Sequence, residues 1–193
     1  MSISENISLR KKKSEVDYIT LFIPLWLALN AWMKDKYEDS TKDRDLINKL
    51  KSSQTSNLGN KFSRLINSDD VFKAQVLELH RSLESANLEY DKLPQNLSGT
   101  NNKKISFLNS IAKWNDGSPE LISMIKTKGQ HGKIQISDDL WVTDDTKELF
   151  AAYIENLYQI RCLLFHGRLK PNLENEKVVK QLYLTLSMVM QEI

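Results

Sequence analysis

The sequence predicts an all-α fold, a helical bundle of four to five main helices with a small irregular or hairpin insertion. Three observations carry this expectation. Apolar residues recur at helical spacing along most of the chain. Residues that start and stop helices flank several of those segments. Only six glycines and four prolines occur among 193 residues, which disfavours an all-β or repeat design. The length fits one domain, 1–193, large enough to bury a sizeable core without disulfides.

Residues 1–13 are polar and basic and read as a flexible tail. The first helix spans 14–37. Its apolar side chains (Ile19, Phe22, Ile23, Leu25, Trp26, Leu27, Leu29, Trp32 and Met33) occupy nearly the whole circumference, the pattern of a central core helix. Pro24 should kink it or shift its start, and Asn30 is the one polar residue deep in the run. Asp43 to Lys51 and Asn57 to Ile66 read as short helices joined by the polar link Ser52 to Ser56. Asp69 to Asn87 is a longer helix, with acids at its start and Val71, Phe72, Val76, Leu79 and Leu83 at helical spacing.

The middle is less regular. Pro94 to Asn102 reads as a loop and Ile105 to Trp114 as a helical stretch. Lys126 to Lys133 reads as a turn, and Lys133 to Ile136 pairs with Leu140 to Thr143 as a small hairpin. Asp145 and Glu148 fit a capping box that opens a long helix ending at His166. Gly167 is its left-handed stop, with Pro171 beyond. The last helix runs from about Glu174 to the end on the stripe Val179, Leu182, Leu186, Val189, Met190 and Ile193.

Composition narrows the function. The balance of 27 basic and 25 acidic side chains gives a net charge of +2, so any polyanion partner needs a local basic patch. The single cysteine, Cys162, excludes an intrachain disulfide and fits a reducing, cytoplasmic setting. Arg10 to Lys13 ahead of the apolar run Leu21 to Leu29 superficially resembles a secretory signal. Glu15 and Asp17 interrupt it, and the run falls far short of the roughly 20 apolar residues that span a bilayer. A buried helix and no membrane partner are expected. No Walker A, Gly-x-Gly-x-x-Gly, His-Glu-x-x-His or paired-cysteine spacing occurs, so neither a metal nor a cofactor is expected. The doublets Asp69-Asp70, Asp138-Asp139 and Asp144-Asp145 read as caps and turns. His131 reads as a loop histidine and His80 as solvated.

Arg161 is anomalous. At roughly 100° per residue, it falls in the apolar sector of Leu149, Phe150, Tyr153, Ile154, Leu157, Ile160 and Leu164, while His166 lies on the other side near Glu148, Glu155 and Gln159. A guanidinium on an apolar face needs a partner or a function. It can snorkel to solvent while His166 satisfies the last carbonyls, or the two can form part of a site. Cys162 can be a nucleophile or an inert, half-buried thiol; no partner histidine is evident, which favours the second.

The phrase Tyr158-x-x-Arg161-x-x-Leu164-Phe165-His166-Gly167 resembles the Arg-x4-His signature of the HEPN superfamily, on the penultimate long helix. Leu25-Trp26-Leu27-Ala28-Leu29-Asn30-Ala31-Trp32 is similar to the Trp-x-Ala-x-Asn-Ala block near the start of its larger bacterial members. The resemblance implies metal-independent endoribonuclease activity in a toxin or phage-defence role. The ribose 2′-hydroxyl would attack the adjacent phosphate, with His166 as general base or acid and Arg161 stabilising the phosphoryl charge. It also implies a homodimer with a shared cleft, and an antitoxin or defence-system partner protein. Positions five apart differ by roughly 140° and about 7.5 Å of rise, so Arg161 and His166 converge poorly within one helix and fit a two-chain site better. Asn30 would orient Arg161 or hold the helix pair, or else bond within the core. Arg168 and Lys170, with Lys177 and Lys180 behind them, would contact the RNA backbone or stand as solvated cations. Two departures matter. Cys162 stands where active members commonly carry Asn, Asp or His, which favours the alternative of a non-catalytic HEPN module binding RNA, nucleotide or protein. His166-Gly167-Arg168 also lacks the tyrosine of a His-x-Tyr subset. The 92–143 insertion is the expected specificity element.

Overall fold

The computed structural model describes residues 16–40, 42–53, 56–89, 104–107, 110, 132–137, 140–143 and 146–191. These form an all-α bundle with four long helices: α1 (Tyr18–Lys36), α4 (Asp70–Ala86), α5 (Thr146–Phe165) and α6 (Leu173–Met190). Two shorter helices, α2 (Asp43–Ser52) and α3 (Asn57–Ser68), lie between α1 and α4. The insertion contributes the antiparallel hairpin β1 (Gly132–Ser137) and β2 (Leu140–Thr143). Its register pairs Ile134 with Val142 and Gln135 with Trp141, with irregularities on either side.

Capping explains most boundaries. Asp17 accepts from the Ile19 and Thr20 amides at the start of α1, and the helix runs on through Pro24. The Ser56 hydroxyl accepts from Gly59 N–H at α3, Asp69 from Phe72 N–H at α4, and Asn172 from Asn175 N–H at α6. Each satisfies an orphan first-turn donor. Asp43 and Asp45 open α2 and Lys49 and Lys51 close it, both complementing the helix dipole. Asn87, in the left-handed conformation, ends α4.

The helix α6 packs chiefly on α4 and α1, and α5 on α2 and α3. The core is aromatic at its centre. Phe62 meets Phe72 edge-on at 5.3 Å and tilts against Phe150 at 5.4 Å and Tyr153 at 5.3 Å. The Tyr153 hydroxyl lies 3.2 Å from Thr185 Oγ1, so this buried phenol is hydrogen-bonded to α6. Ser110 Oγ donates to Asn156 Oδ1 at 2.6 Å, tying the insertion to α5. Phe62→Ala is expected to cost roughly 3–5 kcal/mol, because the rings around it cannot collapse into the void; urea denaturation should show a lower midpoint with an unchanged m-value.

Three points differ from, or add to, what the sequence suggests. First, α1 buries one face only: Phe22, Trp26, Leu29 and Met33 are inaccessible, whereas Leu21 and Leu27 are exposed. The central helix is α5, buried without a break from Leu149 to Leu157. Second, the side of α5 that carries Glu155 is buried as well, because α2 covers it with Arg44 and Lys51. Third, His80 is half-buried with its ring 6.4 Å from Phe107, and burial pulls its imidazole below its ordinary value.

Smaller shifts concern boundaries. Gly132 and Lys133 belong to β1 rather than a turn, and α1 begins at Tyr18 rather than residue 14. Phe107 and Ser110 are helical, Ile105 and Ser106 are not, and residues 108–109 and 111–114 lie outside the described residues. So do the 1–13 tail, the Pro94–Asn102 loop, His131, the two later aspartate doublets with the Asp145 cap, and Ile193. Among the described residues, no helix is long and apolar enough to cross a membrane.

Candidate functional site

The anomalous Arg161 has a partner. Its Nη2 lies 2.8 Å from Oδ2 of Asp43, the first residue of α2. Asn30 of α1 donates from Nδ2 to the other Asp43 oxygen at 3.1 Å. Asn30 therefore reaches Arg161 through Asp43, and three helices meet at this carboxylate. The guanidinium carbon sits 4.7 Å from the Phe165 ring centre and 5.3 Å from that of Trp26. Such bedding holds the plane of an arginine while leaving its edge open. The Arg161 side chain is 20% exposed and its Nε has no hydrogen-bond partner. That Nε is buried, so what Arg161 can still offer lies on its Nη groups, of which Nη2 already meets Asp43.

A second cluster lies beside the first along α2 and α5. Arg44 donates from Nη1 to both oxygens of Glu155, at 3.0 and 2.8 Å, and its guanidinium carbon lies 4.1 Å from the Tyr158 ring centre. Lys51 Nζ bonds Glu155 Oε2 at 2.6 Å, and Gln159 Nε2 bonds Oε1 at 2.8 Å. Burial alone would raise the Glu155 carboxyl, but Arg44 and Lys51 outweigh it and hold the group down at about 2. Burial draws the Lys51 ammonium below its ordinary range despite Glu155. Cys162 is half-buried next to Tyr158, whose phenol is pushed up by burial first and by the thiol second.

The pairing is reciprocal. The α5 arginine is held by an α2 carboxylate, and the α2 arginine by an α5 carboxylate. Trp26 and Tyr158, 6.4 Å apart, join the two aromatic beds.

His166 stands apart from this seam. It is exposed, its N–H bonds to the Cys162 carbonyl at 3.1 Å, and the structure records no hydrogen bond between it and Arg161. Its position follows from the turn behind it. Arg168 N–H bonds the Leu163 carbonyl at 2.8 Å and Gly167 N–H bonds that of Leu164 at 3.1 Å, the two bonds of a Schellman motif. Gly167 has φ +66°, and an added Cβ would meet nothing within 4 Å. Gly167→Ala should therefore cost about 1 kcal/mol through backbone strain alone, seen as a small fall in Tm with native circular dichroism.

Arg168 and Lys170 are exposed in the loop after this motif. The Lys170 carbonyl accepts from Asn175 Nδ2 at 2.8 Å, which ties the loop to α6. Lys177 and Lys180 line a groove of about 550 Å³ together with Asp17 and Glu176, so acids share the space. Lys180 Nζ lies 5.5 Å from the Tyr18 ring centre. Among the described residues, no three His, Cys, Asp or Glu side chains gather as a metal-ligand set.

Sequence reasoning missed Asp43, Arg44, Lys51 and Glu155. Asp43 and Lys51 were legible only as helix-end charges. The signal that something was needed was Arg161 itself, a cation on an apolar face that demanded a carboxylate without indicating which one.

The fold and the site together define an all-α bundle in which two arginines are cross-tied between neighbouring helices. No protein-family model matches the chain, and neither a curated protein nor a solved structure matches it.

Proposed function

We propose that this chain is a metal-independent endoribonuclease of the HEPN type, acting as a toxin or in phage defence. The observation that carries the reading is Arg161: fixed by Asp43, bedded on Trp26 and Phe165 and one-fifth exposed, five residues before an exposed helix-terminal histidine. An imidazole removes the proton of the ribose 2′-hydroxyl, and that oxygen attacks the neighbouring phosphorus. The bond to the 5′-oxygen breaks, the leaving oxygen takes a proton, and a cyclic phosphate remains. Arg161 stabilises the charge that develops on the phosphoryl oxygens. One imidazole per chain suits a homodimer, in which one copy supplies the base and the other the acid. The exposed Leu21 and Leu27 on α1 and the exposed Phe165 beside Arg161 support such an apolar contact.

The test is cleavage of RNA by the purified protein with EDTA present, beside a DNA of the same sequence. Loss of RNA with intact DNA is expected, and sedimentation should give a dimer. Induced expression of the wild type, beside His166→Ala, should arrest growth and degrade cellular RNA. A second reading, a non-catalytic module that binds RNA, nucleotide, an antitoxin or another partner protein, is favoured by Cys162 and by the carboxylate already seated on Arg161. RNA binding without cleavage by folded protein would select it.

A further inference from the structure

We propose that Arg44, stacked on Tyr158, forms a second phosphate subsite beside Arg161, so that the seam between α2 and α5 takes two phosphates of one RNA strand. This rests on the endoribonuclease reading for its ligand class, but not on catalysis. The two arginines share one construction. Each guanidinium has one nitrogen committed to a carboxylate of the opposite helix: Arg44 Nη1 to Glu155 and Arg161 Nη2 to Asp43. Each lies on aromatic carbon, Arg44 on Tyr158 and Arg161 on Phe165 and Trp26.

An arginine needed only to neutralise Glu155 has no use for solvent access, since Lys51 already does this at 2.6 Å with only 8% of its side chain exposed. Arg44 instead keeps 38% of its side chain exposed. Its only hydrogen bonds among the described residues leave from Nη1, so Nη2 and Nε remain available to phosphate oxygens. Charge is shared along the seam: Arg44 and Lys51 meet Glu155, and Arg161 meets Asp43. Spacing agrees. Tyr158 and Arg161 are three residues apart on α5, about 4.5 Å along its axis, and Asp43 and Arg44 are chain neighbours on α2. The strand would run along the seam, with one phosphate at each guanidinium.

The experiment measures binding of a 2′-O-methyl hexauridylate, which cannot be cleaved, across a salt series. Arg44→Gln should weaken binding and lower the slope of log K against log salt by about 0.7, the loss of one phosphate contact to a single strand. Arg161→Gln should lower it by a similar amount, and the double variant by both. An unchanged slope in folded Arg44→Gln, or no binding of the probe by wild type, overturns the proposal. Should Arg44→Gln not fold, phenylglyoxal modification of wild type decides: the probe should protect Arg44 as well as Arg161, and an unprotected Arg44 overturns the subsite. The two readings fail separately. Binding with an Arg44-dependent slope but no RNA cleavage leaves the subsite and removes the enzyme. Cleavage with an Arg44-independent slope does the reverse.

Discussion

Arg161→Ala should slow RNA cleavage by about 10²–10³-fold, the effect of removing one preorganised donor from a developing oxyanion. His166→Ala should slow it by about 10²–10⁴-fold through loss of proton transfer. The two variants should differ in stability. His166 is exposed, so its loss should leave Tm nearly unchanged. Arg161→Ala removes the cation from Asp43, which then keeps only Asn30, and should lower Tm measurably. Arg161→Lys is the sharper probe. A lysine can still reach Asp43, but it loses the planar bed on Trp26 and Phe165 and offers a point charge in place of a fork. Stability should recover while cleavage stays low. Wild-type cleavage rates in both alanine variants would sink the proposed function.

Glu155→Gln should cost roughly 3–5 kcal/mol of folding stability, because it removes the buried carboxylate charge that Arg44 and Lys51 share. The same carboxylate makes stability depend on acid. In the unfolded chain it titrates near its ordinary 4.5, and in the fold at about 2. Its folded value is lowered, so its contribution is fully present above about pH 4.5 and is lost as pH falls towards 2. The difference corresponds to roughly 3 kcal/mol of linkage. Denaturation at a series of pH values should show this loss in the wild type and a flatter dependence in Glu155→Gln. An apolar residue at 155 alone would remove the same charge. Replacing 44, 51 and 155 together with well-packed apolar residues should recover much of the stability, since burying the triad is itself costly.

Local signals were legible in the sequence and distant ones were not. Asp69 was legible as a cap and Gly167 as a stop, the one bonding three residues on and the other demanded by a turn its neighbours form; Ser56 and Asn172 cap over the same short reach but were not singled out. Periodicity gave the core stripe of α6, although Val178 is buried as well. It misjudged the rank of α1 and α5, because an apolar circumference states what a helix could bury and not which neighbours arrive. Exposed Leu27 on α1 and buried Glu155 on α5 are the two faces of that limit. The helix wheel placed Glu155 on the correct side of α5, but α2 covers that side through partners 111 and 104 residues away. The candidate site divides in the same way. Arg161 was legible as an anomaly, whereas Asp43, which resolves it, was indistinguishable from an ordinary first-turn acid.

The crossed ties between α2 and α5 have a mechanical consequence. A single ion pair between two rods is a pivot, about which one rod can still swing. Two ties side by side remove that freedom. Here Asp43 and Arg44 are adjacent in the chain, so the tie at Arg161 and the tie at Glu155 cannot move independently of each other. The arrangement acts as a two-pin joint: α2 slides or turns past α5 only by breaking the ties at both carboxylates. Protonating Glu155 would withdraw one pin and return the joint to a pivot.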